Sequence, residues 1–316
     1  MTSGSRRARD EEIVESESKV VVFGGCGFLG RYVAEELLER GYRVVVADVS
    51  PMPEDLGAVY EPVDICDEDA VRRVVGGASY VFNFAGIADI DEAAERPVAV
   101  ARVNVLGNVH VLDACRRSGV KKVVYASSVY VNSTTGLFYR TSKLASEKFI
   151  EDFGVKFGLK YTILRYGSVY GVGSGSHNII GHYIRQALRE GRIVRRGDSE
   201  DLREYIHIRD AAIGAVQVLD ARYDGVHVVL SGLHPMRVRD VLEMIREIIS
   251  SDIEIVYEPA SSLTHYRITP YAYNPRMARK LVLDSYYDLG QGLLDMILQE
   301  EMALEGSGGQ REGPGG

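Results

Sequence analysis

Short runs of apolar, largely β-branched residues alternate along this chain with stretches in which apolar positions recur every three or four residues. The runs Lys19–Phe23, Arg43–Ala47, Tyr80–Phe84, Lys121–Ala126 and Tyr161–Leu164 carry almost no polar position, so both of their faces must be covered. That predicts buried strands. Between them Leu29–Arg40, Asp67–Val75, Val98–Arg117 and Tyr139–Phe157 show the helical period. Strand-helix alternation of this kind predicts an α/β fold, a doubly wound parallel sheet over residues 19–170. From about Gly171 the rhythm loosens. His177–Glu190, Arg209–Ala221, Val238–Ser250 and Gly290–Glu305 are expected to be helical, with short strands at Val226–Leu230 and Ile253–Tyr257. These make a smaller C-terminal α/β lobe, residues 171–305, although later strands can still join the core sheet. Residues 1–18 are polar and rich in Arg and Glu, and residues 306–316 are Gly-rich, so both ends are expected to be disordered.

Composition narrows the partners more than the fold. The chain has 316 residues, 46% hydrophobic and 26% charged, with a net charge of -8. No long basic run is present, which argues against nucleic acid. No apolar stretch reads as long enough to span a bilayer, and the charged start does not resemble a signal peptide, so a cytoplasmic protein with no membrane role is expected. Cys26, Cys66 and Cys115 lack metal-ligand spacing and are expected to be reduced, buried thiols, with no metal site.

The first strand runs into Gly24-Gly25-Cys26-Gly27-Phe28-Leu29-Gly30, a Gly-x2-Gly-x2-Gly turn that opens a helix. Glycines there let the backbone turn sharply and approach a pyrophosphate, whose charge suits a helix N-terminus. The second strand ends in Ala47-Asp48, where a carboxylate can accept from both ribose hydroxyls and would repel a 2′-phosphate. Strand, turn, helix and acid in this order predict a Rossmann-type site for NAD rather than NADP. Asp64 and Ile65, after the third strand, are candidates for the adenine edge, with Asp64 or Asp67 capping a helix as the alternative. Asn83-Phe84-Ala85-Gly86 ends the fourth strand with small residues that admit a cofactor, although Asn83 can equally satisfy a loop backbone.

Tyr139 and Lys143 stand four apart, one above the other on a helix face. A free Tyr titrates near pH ~10, and a neighbouring ammonium favours the phenolate. Such a spacing alone also describes a solvated helix face. Beside a dinucleotide turn it predicts a proton-handling pair for hydride transfer.

Taken together, these features resemble the extended short-chain dehydrogenase/reductases, the NAD-dependent epimerase/dehydratase family of nucleotide-sugar enzymes, similar to UDP-glucose/galactose 4-epimerases. The likeness runs from about Lys19 to Leu281. Its further motifs are Asn104-Val105-Leu106-Gly107-Asn108, Val124-Tyr125-Ala126-Ser127-Ser128, Leu164-Arg165-Tyr166-Gly167-Ser168-Val169-Tyr170-Gly171, Gly197-Asp198, and Arg203-Glu204-Tyr205-Ile206-His207-Ile208-Arg209-Asp210. The resemblance implies Tyr139 as general acid/base, with Lys143 on the nicotinamide ribose and Ser127 or Ser128 on the reacting oxygen. It places Gly24, Gly27, Phe28, Leu29, Gly30, Asp48, Asp64, Ile65, Phe84, Ala85, Gly86 and Asn104 at the cofactor. Ser168, Asn178, Arg203 and Arg267 fall to the substrate, the two arginines to its diphosphate. Arg267 is expected before Asn274 and a helix over Arg276–Leu281. A surface ion pair with Glu200 or Glu204 is the alternative for Arg203, and His207 is expected to pack between lobes.

Departures from the pattern are informative. Val129 occupies the place of the family's Ser/Thr, and the segment Val129–Phe138 is shorter than the usual substrate loop. Ser168 replaces a common Asn. No Thr-Asp-Glu run follows the fifth strand and no decarboxylase Glu is found. The expected function is therefore an NAD-dependent nucleotide-sugar epimerase, with a net reductase or a non-catalytic NAD-binding protein as alternatives. Its two long helices imply, by the same resemblance, a homodimer.

Overall fold

A computed structural model describes residues 18–175, 178–259, 267–269 and 278–308. The chain order is β1 (Lys19–Phe23), α1 (Phe28–Glu39), β2 (Arg43–Asp48), β3 (Val59–Pro62), α2 (Glu68–Val75), β4 (Tyr80–Asn83), α3 (Ile90–Glu95), α4 (Pro97–Ser118), β5 (Lys122–Ser128) and α5 (Leu137–Phe157). It continues with β6 (Tyr161–Tyr166), β7 (Ser168–Tyr170), α6 (Ile179–Glu190), β8 (Arg192–Arg196), β9 (Leu202–Arg203), β10 (Tyr205–His207) and α7 (Ile208–Gln217). The remainder is β11 (Val226–Leu230), β12 (Met236–Arg237), α8 (Val238–Ile249), β13 (Glu254–Glu258), β14 (Arg279–Lys280) and α9 (Leu289–Gly308).

Eight strands form one parallel sheet in the order β14-β11-β6-β5-β4-β1-β2-β3. The alternation of the strands explains its two buried faces. In β1, Val20 and Val22 pack with Val33, Leu37, Ala211 and Ala215 on one side. Val21 and Phe23 pack with Val71, Val111, Leu112 and Ile150 on the other. The chain leaves β1 toward β2 and β3, then returns to β4 and winds the opposite way. The crevice at the carboxyl ends of β1 and β4 is thus the topological switch point, where such sheets bind ligands.

A third core, built on Ile180, Tyr183, Ile184, Val241, Leu242, Ile245, Leu293 and Met296, holds the later helices together. β8 and β13 pair beside it in a small sheet of their own, whereas Val226–Leu230 joins the large sheet next to β6. Two expectations need correction here. The helix expected over Arg276–Leu281 is replaced, in its described part, by the edge strand β14, because the backbone there pairs with β11. Helix α9 also continues to Gly308, into the segment expected to be a flexible tail. The expected disorder of residues 1–17 and 309–316, and the position of Asn274, lie outside the described residues.

Helix α4 is longer than the sequence reading and contains a π-helical stretch, Ala101–Gly107. By length and composition alone its 22 residues are apolar enough to cross a membrane, contrary to the expectation that no such stretch exists. Within the fold, however, 44% of its most apolar window is buried, and Asn104 and Asn108 are buried with it. Of the thiols, only Cys115 is fully buried; Cys26 and Cys66 are half-buried.

Candidate active site

A cleft of about 690 Å³ follows the carboxyl ends of the sheet from Gly24 and Gly27–Gly30 past Ser128, Tyr139 and Lys143 to Asn178 and Arg203. Its first wall is the glycine turn. Gly24 has φ +73, and a Cβ there would lie 2.5 Å from the Ala85 nitrogen, so only glycine lets the turn pass under the end of β4. At Gly30 a Cβ would lie 2.1 Å from the Gly24 carbonyl oxygen. Gly27 starts α1 with no side-chain cap, leaving the positive end of the helix to an anion. The Asp48 carboxylate is fixed by two amides, accepting from Cys26 N and Ser50 N at 2.9 Å each. A tight turn that added Cβ atoms would break at Gly24 and Gly30, beside an oriented carboxylate, fits the dinucleotide expected from the sequence.

The middle of the cleft is organised by α5. Tyr139, Lys143 and Glu147 repeat every four residues and are all buried. Lys143 Nζ donates to the Ala126 carbonyl at 2.7 Å and lies 5.9 Å from the centre of the Tyr139 ring and 5.0 Å from that of Tyr125. Burial lowers its pKa from 10.5 to about 8, against an upward pull from Glu147. Tyr139 packs edge-on against Tyr130, with ring centres 6.1 Å apart, and joins Ile87, Ile90 and Ala93 in a small apolar cluster. This is a phenol in a dry setting beside a cation, as a tuned proton carrier requires.

Glu147, absent from the sequence reading, is the buried anchor of this region. Its oxygens accept from Arg165 Nε and Nη2 at 2.9 and 2.7 Å, and from Ser127 Oγ at 2.6 Å. The i+4 step beyond Lys143 was the available signal. The two serines are thereby told apart. Ser127 commits its proton to Glu147, whereas Ser128 Oγ accepts from Tyr130 N at 3.3 Å and keeps a proton to donate. Val129 is buried and packs with Val229, away from the cleft.

At the far end Arg203 is buried. Its Nη1 donates to the carbonyls of Leu202 and Arg267, and its Nη2 approaches Asp201 at 3.5 Å. Of the two acids considered as surface partners, Glu200 pairs with Arg237 and Arg239, and Glu204 pairs with Lys280. Ser168 lines the cleft, as does Asn178, whose side chain also caps α6 through the amides of Ile180 and Gly181.

Other expected residues are not brought to the cleft. The Arg267 side chain is 79% exposed and pairs with Asp198 at 2.8 Å, with its Nε 4.0 Å from Asp201; its carbonyl accepts from Leu202 N and Arg203 Nη1. The second arginine in the cleft wall is Arg195, which the sequence reading missed. The Asn104 amide is taken by Ile87 and Ser142, so it braces the loop after β4 against α5. Ile65 is buried against Gly107, and Asp64 turns back onto the Cys66 amide while Asp67 caps α2. Asn83 holds the Ala85 amide and Asn108, the loop-satisfying alternative. His207 stacks on Tyr287 with ring centres 4.0 Å apart, and burial lowers its pKa to about 4.

A parallel doubly wound sheet, a glycine cradle at its switch point and a buried Tyr-Lys pair in one cleft define a nucleotide-dependent enzyme of the short-chain dehydrogenase/reductase type. The model of the NAD dependent epimerase/dehydratase family matches residues 20–230, and the chain belongs to that family. NAD is its cofactor. A putative UDP-glucose 4-epimerase from Methanocaldococcus jannaschii is 25% identical over 278 residues, 79% of this chain and 88% of the relative. Human UDP-glucose 4-epimerase is 31% identical over 252 residues, covering 64% and 72% of the two chains. A UDP-N-acetyl-alpha-D-glucosaminuronate decarboxylase from Bacillus cytotoxicus is 27% identical over 77% of this chain and 84% of its own. In fold, the chain is similar to the crystal structure of Thermotoga maritima UDP-glucose 4-epimerase with UDP-glucose, at TM-score 0.76 and 24% identity over 90% and 99% of the two chains.

Proposed function

We propose that this protein is a nucleotide-sugar 4-epimerase. The observation that carries this reading is the buried Lys143 ammonium beside Tyr139, in a cleft that begins at the glycine cradle and ends at Arg203. Bound NAD supplies a hydride acceptor that can give the hydride back, so no net oxidation is needed. Tyr139 takes the proton of the sugar hydroxyl as it becomes a ketone, and returns it after the sugar has turned its other face. Lys143 keeps the phenolate favoured, and Ser128, rather than Ser127, donates to the sugar oxygen. Arg203 holds the diphosphate by charge-assisted hydrogen bonds. Asp48 orients the adenosine ribose and disfavours a 2′-phosphate.

The test is incubation with NAD and a panel of UDP-, dTDP- and GDP-sugars, followed by NMR. Conversion of one sugar to its 4-epimer, lost in Tyr139→Phe with NAD still bound, is the expected result. Steady NADH consumption with a keto sugar would instead make the enzyme a net reductase. Carbon dioxide release from a uronate sugar would make it a decarboxylase. Normal turnover by Tyr139→Phe refutes the mechanism.

A homodimer is part of the same proposal. Val98, Leu106, Leu144, Phe149, Val155 and Phe157 are exposed on the two long helices α4 and α5, an apolar surface suited to a second copy of the chain. Light scattering on Leu144→Asp/Val155→Asp should give a monomer where the wild type gives a dimer.

A further inference from the structure

Strand β8 alternates, and the positions it buries are Ile193 and Arg195. A charged residue thus occupies a place where the pattern calls for an apolar one, and Arg195 forms part of the cleft wall. Its Nη2 donates to Asp201 Oδ2 at 2.7 Å and its Nη1 reaches the Tyr183 hydroxyl at 3.3 Å. Its Nε is buried with no partner among the described residues, and the residue is 9% exposed. Gly197, whose φ of +129 favours glycine, runs against it: an added Cβ would lie 2.9 Å from Arg195 Nη2.

Arg203 leans on the same Asp201 oxygen, at 3.5 Å. Two guanidinium groups therefore share one carboxylate oxygen, and Arg195 receives less than a full counter-charge from it. The next cation, Arg267, pairs with Asp198 at 2.8 Å, and its Nε lies 4.0 Å from the other Asp201 oxygen, which divides that carboxylate's charge further. Keeping a half-shared cation and an unmet N–H out of water is costly, and the cost is recovered where a ligand brings the anion.

We propose that Arg195 and Arg203 form a two-guanidinium clamp for the pyrophosphate of the substrate, with Asp201 aligning both forks in advance. The clamp rests on the nucleotide-sugar reading above. A diphosphate offers several acceptor oxygens, enough for a fork from each arginine. Asp201 keeps the two cations close together before the ligand arrives. Arg195 is thus a substrate-binding residue, and it contributes nothing to the hydride step.

The experiment is calorimetric titration of the NAD-loaded protein with UDP, dTDP, GDP and ADP. Wild type, Arg195→Ala, Arg195→Lys and Arg203→Ala are compared, and NAD content and Tm are recorded for each. Arg195→Ala should weaken the nucleoside diphosphate that binds wild type by roughly ten- to hundred-fold, the scale of a lost charged hydrogen bond. Arg195→Lys should recover part of that loss, and NAD content should not change. A UDP-type affinity within two-fold of wild type in folded Arg195→Ala overturns the clamp. Should that variant not fold, Arg195→Lys decides: about five-fold or more weakening supports a fork, and unchanged affinity refutes it. If no nucleoside diphosphate binds wild type, the nucleotide-sugar reading fails by itself, and inorganic pyrophosphate becomes the probe. Arg195-dependent pyrophosphate binding would then sustain the clamp, and its absence would end it.

Discussion

Lys143 serves the site at the expense of the fold, and replacing it should show this. In the folded protein burial lowers its pKa from 10.5 to about 8. At about 1.36 kcal/mol per pKa unit, the charged form is penalised by roughly 3 kcal/mol relative to the unfolded chain. Proton binding sets the sign. Between pH ~8 and ~10.5 the unfolded state holds more protons than the folded one, so stability rises across that window. Below pH 8 the penalty is present in full. Lys143→Met keeps the length and apolar stem of the side chain and removes the charge, but loses the hydrogen bond to the Ala126 carbonyl, about 1 kcal/mol. The NAD-free variant should therefore be more stable than wild type by about 1–3 kcal/mol at pH 7, or a few degrees in Tm, and inactive. Calorimetric unfolding of both proteins from pH 6.5 to 10.5 measures the difference, which should shrink as wild type gains stability. A variant less stable than wild type at pH 7, or a difference that does not change with pH, would refute this account.

Three further outcomes test other links. Glu147→Gln should cost about 3–5 kcal/mol, because it leaves Arg165 buried without its anion, and should lower the Lys143 pKa below about 8, read as an activity limb moved toward lower pH. Gly24→Ala forces a side chain into φ +73 and against the β4 backbone; NAD retention should be lost and Tm should fall by several degrees, measured by absorbance of the purified protein and by thermal melting. His207, with its pKa lowered from 6.5 to about 4 by burial, binds fewer protons folded than unfolded in that interval. Stability should thus fall by about 2–3 kcal/mol as pH drops from ~6.5 to ~4, and His207→Phe should flatten that limb in urea titrations.

The core strands and the long helices could be read from the sequence because burial on both faces writes itself as uninterrupted apolar runs, and a helix in contact with the sheet repeats its apolar positions. The glycine turn was equally plain, since only glycine tolerates what Gly24 and Gly30 must do. Tyr139 and Lys143 could be paired because four residues make one helical turn. These are local properties, decided within a turn or a strand.

What the tertiary structure alone decided are matters of direction and of competition for partners. Ser127 and Ser128 are adjacent in sequence, and only the approach of Glu147 and Arg165 from other elements commits one of them. Arg267 and Arg195 were equally arginine; the course of the chain put one side chain in solvent and the other in the wall of the cleft. The family resemblance places Asn104 at the cofactor, yet the loop after β4 takes its amide first. A polar side chain has its role fixed by which donor or acceptor reaches it, and elements far apart in the chain supply those groups. Apolar periodicity therefore determined the frame, and long-range hydrogen bonding chose which of its polar residues face the substrate.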